Sequence, residues 1–85
     1  MPTFEIIWSR IQAHQGEVFH QVRGGEFTYA VSGNVVHPDR TLRNLHRSQF
    51  EEASERFPVG GPGDLQDLQG PSYLYAILTD ERISR

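Results

Sequence analysis

The chain has 85 residues, no cysteine and a formal charge of -3 at pH 7, so it holds one small domain, has no disulfide or thiolate metal site, and carries no overall positive field to draw it to nucleic acid or an anionic membrane. Hydrophobic residues make up 36%, aromatics 11% and charged residues 22%, a composition that buries a small core, which a homodimer partner can supplement, rather than remaining disordered. With no apolar run near the roughly 18 residues of a membrane span and no basic leader at Met1, the reading is a cytoplasmic protein that does not enter a membrane.

Phe4, Ile7, Trp8 and Ile11 fall on one stripe of an amphipathic helix, predicted from Pro2 to Gln15 with Thr3 as its cap and Gly16 closing it. From Glu17 to His37 the period changes to two. A two-residue turn at Gly24-Gly25 would pair Arg23 with Glu26, Val22 with Phe27, His20 with Tyr29, Val18 with Val31 and Phe19 with Ala30. That register puts Val18, Val22, Phe27, Tyr29 and Val31 on the core face and Phe19 on the other. A second tight turn at Ser32-Gly33-Asn34 leads to Val35, Val36 and His37, with Val36 on the core face in either turn frame and Pro38 ending the ladder.

Pro38 to Arg47 reads as irregular, with Leu42 and Leu45 spaced either for one helical turn or to anchor a loop. Ser48-Gln49-Phe50-Glu51 is a capping box in front of a helix to Phe57, whose inner face is Phe50, Ala53 and Phe57. Gly60-Gly61-Pro62-Gly63 is a connector, Asp64 to Gln69 allows one turn through Leu65 and Leu68, and Pro71-Ser72 opens a last helix through about Thr79, leaving Asp80 to Arg85 as a charged tail.

The local charge anomaly is Arg40, Arg43, His46 and Arg47, a stretch without acids that leads into the amides after Ser48. Guanidinium forks beside a helix start suit a phosphate or carboxylate, and since the chain contains no lysine every cation is such a fork. The alternative is a solvated loop whose arginines pair with Glu51, Glu52 and Glu55. Residues 1 to 47 hold five Arg and four acids, whereas 48 to 85 hold three Arg and seven acids, so the acidic second half can equally meet a basic protein surface.

His14, His20, His37 and His46 show no metal-ligand spacing, and neither a metal nor another cofactor is expected. His20 is placed opposite Tyr29 as a hydrogen-bonded core imidazole. A small nuclease would draw on His37 and His46 with Arg40 or Arg43 near Tyr29. If the last helix leaves it uncovered, Phe19 heads an exposed strip with Ala30 and Val35 that would meet a partner, and Tyr75 is expected at that rim.

The order helix, strand, strand, strand, helix over residues 3 to 57 resembles that of the double-stranded-RNA-binding domain. In that family the second helix opens with a lysine-rich phosphate clamp. Here Arg47-Ser48-Gln49-Phe50-Glu51-Glu52 stands in its place, with one Arg followed by acids, so no functional residue is carried over.

The expected fold is therefore α+β over residues 1 to 85, an N-terminal helix packed on a three-stranded antiparallel meander and followed by two further helices. The expected function is that of a small non-enzymatic binding module, compact in a bacterial style, which contacts nucleic acid or another polyanion through Arg40, Arg43, His46, Arg47 and Ser48, with Arg23 at the hairpin tip extending the surface. A protein-binding adaptor or inhibitor acting through the acidic half and Phe19 is the main rival, and a small nuclease or toxin the third.

Overall fold

A computed structural model describes residues 1 to 85 and shows an α+β fold. Helix α1 (Phe4–Ala13) is followed by strands β1 (Phe19–His20), β2 (Glu26–Phe27), β3 (Tyr29–Ser32), β4 (Val35–Pro38) and β5 (Leu45–His46), then α2 (Arg47–Glu55), a 3-10 turn (Pro62–Leu65), α3 (Pro71–Thr79) and a short α4 (Glu81–Ser84). The three-stranded antiparallel sheet has the order β3-β4-β5, and β1 and β2 form a separate two-stranded hairpin.

The helical stripe of α1 is observed as the sequence implies, with Ile7, Trp8 and Ile11 buried. Its end is tied to the edge of the sheet: the Tyr29 hydroxyl donates to the Ile11 carbonyl at 2.6 Å, and the Gln15 side-chain oxygen accepts from the Val31 amide at 2.9 Å. The second bond occupies an open donor on edge strand β3, where an unpaired N–H would otherwise invite another strand. The β3-β4 hairpin uses Gly33-Asn34 as its turn, with Gly33 at φ 59°, and Val31 faces Val36 as one of the two expected frames requires.

The first hairpin differs from expectation. Phe19 pairs with Phe27 and His20 with Glu26, so Gln21 to Gly25 form a five-residue loop, closed by the Gln21 amide on the Gly25 carbonyl at 2.8 Å with Gly24 at φ 89°. The register has moved by an odd number of residues, which turns the first strand over while Phe27 and Tyr29 stay buried as expected. Phe19 is fully buried, whereas Val18 and Val22 are exposed. Burial area alone does not favour this, because burying two Val side chains is worth about 3 to 6 kcal/mol together and burying one Phe at most about 3 kcal/mol. Directed contacts decide it: the Phe19 ring lies 6.1 Å from Phe27, 5.3 Å from Tyr29 and 3.8 Å from the Arg82 guanidinium, each such contact adding about 0.5 to 1.5 kcal/mol. The same shift brings His20 out of the core, where its ring meets Glu26 at 3.0 Å.

The third strand of the sheet is β5 rather than the stretch before Gly24, with Val36 facing Leu45 and Val35 facing His46. Of the two expected roles, a helical turn or a loop anchor, Leu45 takes the second and is fully buried, whereas Leu42 is fully exposed. Because β5 runs straight into α2, the helix starts at Arg47, whose amide donates to the Asn34 carbonyl at 2.7 Å; His46 is the cap residue and the Ser48 capping box does not form. Helix α3 covers the expected residues and buries Leu74, Ala76, Ile77 and Leu78. The charged tail is structured too, since the Asp80 carboxylate accepts from the Arg82 amide at 2.9 Å, starting α4 and burying Ile83.

Gly70 precedes α3 at φ 54°, and a Cβ built there would lie 2.7 Å from Leu45 Cδ2 in the core. Gly70→Ala is expected to cost about 1 to 2 kcal/mol, because it combines a left-handed backbone with displacement of a buried leucine. A urea midpoint unchanged from the parent chain would contradict that packing.

Candidate anion-binding surface

All eight basic side chains are arginines, and they fall into two groups. Arg10 donates to the main-chain oxygens of Ile83 and Arg85. Arg56 meets Asp67 at 2.6 Å and Glu52 at 3.2 Å, Arg82 meets Asp80 at 2.8 Å and Glu17 at 3.1 Å, and Arg85 lies 3.7 Å from Glu81. These ion pairs hold the Asp67 and Asp80 carboxyls below their usual range, while Glu17 is lowered by its hydrogen bond from His14 first and that from Arg82 second. Glu52, Asp67, Asp80 and Glu81 of the second half meet that half's own arginines, whereas Glu51, Glu55 and Asp64 meet none, so the second half keeps its acidic excess in the folded chain.

Arg47 belongs to this engaged group. Its guanidinium lies 5.0 Å from the Phe4 ring centre and 5.8 Å from that of Trp8, and it meets Glu5 at 3.3 Å. A planar, weakly hydrated cation packs well on aromatic faces, so the fork expected to face an anion at the start of α2 is turned onto α1 instead. Ser48 is exposed in the first helical turn.

Arg23, Arg40 and Arg43 form the second group: all are exposed and none has a carboxylate partner. Two loops carry them. The Asp39 to Asn44 loop is held by reciprocal bonds at its start, the Thr28 amide donating to Asp39 Oδ1 at 2.9 Å and the Asp39 amide to the Thr28 carbonyl at 2.9 Å. Further on, the Arg43 amide donates to the Thr41 hydroxyl at 3.1 Å, and His37 Nδ1 meets Asn44 Oδ1 at 2.8 Å. Arg40 Nη1 donates to the Glu26 carbonyl at 3.2 Å and lies 3.6 Å from where Gly25 would carry a Cβ. Its guanidinium therefore rests against the loop that presents Arg23. His46 is exposed on β5 beyond this loop and makes no side-chain bond within the chain.

The other expected groupings separate. Phe19 is fully buried and cannot head an exposed strip, and Tyr75 is half-buried with its ring stacked on Phe57 at 6.3 Å. Tyr29, assigned to a nuclease grouping with His37 and His46, points its hydroxyl inward to α1, where burial pushes its phenol well above the usual range. Two features of the tail went unanticipated, the grip of Arg10 on its carbonyls and the seat of Arg82 on Phe19. The signal for the second was Asp80-Glu81-Arg82-Ile83, an acid-first helix start with one apolar residue.

Searches of family models, curated proteins and solved structures found no match to this chain.

Proposed function

We propose that this chain is a small binding module that meets a polyanion, nucleic acid in particular, through Arg23, Arg40 and Arg43, with His46 at the margin. One observation carries the reading: the exposed arginines without a carboxylate partner sit on two touching loops, while the other cations are occupied. A guanidinium free of carboxylates keeps its fork for phosphate oxygens, and three on one surface add a contact area that is sensitive to salt. Arg47 and Ser48 leave the surface in this reading, because Arg47 packs on Phe4 and Trp8.

Fluorescence anisotropy with a labelled oligonucleotide at low salt tests it. Arg40→Glu with Arg43→Glu is expected to weaken binding about tenfold and to flatten the salt dependence by about 0.7 to 0.9 in log-log slope per lost contact. Arg47→Gln is expected to leave affinity nearly unchanged while lowering the unfolding midpoint. Equal affinity in the double variant, or a loss confined to Arg47→Gln, would remove this surface.

A protein-binding adaptor is the second reading, supported by the full exposure of Leu42 between Arg40 and Arg43 and by Glu51 and Glu55, which make no ion pair. Exposed apolar groups on a loop tip suit a protein partner better than a phosphate backbone. Leu42→Ser distinguishes the two, since it leaves oligonucleotide affinity intact if the arginines alone make the contact.

A further inference from the structure

A cleft of about 540 Å³ opens between the Gln21 to Gly25 loop and the 3-10 turn, with Ser72 of α3 at its base. Its volume falls within the roughly 300 to 1,000 Å³ usual for small-molecule sites. Arg23 is the one charged residue in its lining; neither Arg40 nor Arg43 reaches it, and no carboxylate lines it. Asp64, within the turn, and Asp67, just after it, are occupied by the Gly60 amide at 2.8 Å and by Arg56 at 2.6 Å.

The polar groups of the lining converge on one chemistry. Gln21 Nε2 donates to Ser72 Oγ at 3.0 Å, which fixes that oxygen as an acceptor and leaves its own proton to donate outward. Gln66 is exposed on the facing wall and forms no side-chain bond within the chain. A guanidinium, a hydroxyl proton and an amide N–H around one space are all donors toward an oxygen-bearing anion. Val22, 65% exposed, and Pro62 supply the apolar sides.

We infer that this cleft binds a small molecule bearing an oxyanion, a carboxylate or a phosphate monoester, with its anionic oxygens on Arg23, Ser72 and Gln66 and its body between Val22 and Pro62. This site is distinct from the Arg40 and Arg43 contact and shares only Arg23 with it, so either can fail without the other. Gly63 gives an independent handle, because it lines the cleft and a Cβ added there meets nothing within 4 Å, so a larger side chain is expected to fit the fold and to narrow the cleft.

The test is a titration of ¹⁵N-labelled protein with inorganic phosphate in one arm and butyrate in the other, followed by amide, side-chain amide and arginine Nε–H resonances. Saturable shifts of Arg23 Nε–H, the Gln66 side-chain amide and the Ser72 amide are expected in at least one arm, and the arm that saturates first identifies the anion class. A shift of the Val22 amide with butyrate but not with phosphate would seat its chain. Arg23→Gln is expected to weaken binding about tenfold or more, Gly63→Val to weaken it with the rest of the spectrum unchanged, and Arg40→Gln with Arg43→Gln to leave it intact. No saturable shift in either arm, shifts that persist unchanged in Arg23→Gln, or equal shifts at Arg40 and Arg43 would overturn the site; the last result would leave only a general anion surface.

Discussion

Replacing Phe19 with alanine is expected to remove about 3 to 5 kcal/mol of folding stability, the range for truncating a large buried aromatic. A chain of 85 residues holds only some 5 to 10 kcal/mol in all, so the variant would lose a large share of its stability and unfold at a much lower urea concentration. The magnitude follows from position: Phe19 is fully buried, touches the rings of Phe27 and Tyr29, and is capped on its open side by Arg82. Val22→Ser, three residues on at an exposed loop tip, is expected to change stability by no more than about 0.5 kcal/mol. The two-residue turn at Gly24-Gly25 would reverse these results, placing Val22 inside and Phe19 outside, so one pair of urea midpoints reports the hairpin register without a structure.

Arg82→Ala is the second large effect, about 2 kcal/mol after allowance for partial exposure. Arg82 holds three parts of the chain together. Its fork grips both oxygens of Asp80 at 2.8 and 2.9 Å, its Nη2 donates to the Val18 carbonyl at 2.7 Å, and its plane lies 3.8 Å from the Phe19 ring centre. Removing it leaves the Asp80 carboxylate without its partner and uncovers the aromatic cluster. By the usual conversion for a small domain, the melting temperature falls by roughly 8 to 16 °C.

The pH dependence carries the same signature. Asp80 and Glu17 have carboxyls lowered in the folded state, Asp80 by the Arg82 fork and Glu17 by His14 and then Arg82. The unfolded chain therefore binds more protons in acid, so the stability these groups contribute is complete above about pH 5 and declines as pH drops through the carboxylate range near 4. In Arg82→Ala that acid limb flattens. At the other end, burial raises the Tyr29 phenol, so stability is retained below about pH 10 and falls above it, where the unfolded phenol ionises and the buried one does not. Chemical denaturation at a series of pH values measures both limbs.

Elements governed by local rules were legible in the residues. The stripe of α1, the Gly33-Asn34 turn between β3 and β4, and the start of α3 at Pro71 each depend on neighbours within a turn or two. What was not legible depends on distant partners. Gly24-Gly25 has the local form of a two-residue turn, and contacts made by Arg82, far along the chain, favour the other register. Strand β5 has two residues and no pattern of its own; it exists because β4 supplies its partner. Ser48 and Glu51 have the form of a capping box, yet the Asn34 carbonyl takes the Arg47 amide and the cap falls at His46, two residues earlier. The same contrast divides the site. Arg23, Arg40 and Arg43 were recognisable as loop cations, but nothing around Arg47 in sequence shows that Phe4 and Trp8 would take its fork. The cleft at Arg23 was hidden for the same reason, since Gln66 and Ser72 reach it only once the chain is folded.

Arginine side chains report individually in a ¹H–¹⁵N spectrum through their Nε–H groups, and a titration with a short oligonucleotide at low salt reads which forks meet phosphate. The resonances of Arg23, Arg40 and Arg43 are expected to shift together and saturate, while those of Arg47, Arg56 and Arg82 stay in place. Movement of Arg47 in preference to these three, or no movement of any arginine, would contradict the division of the cations into free and engaged groups as the basis of binding.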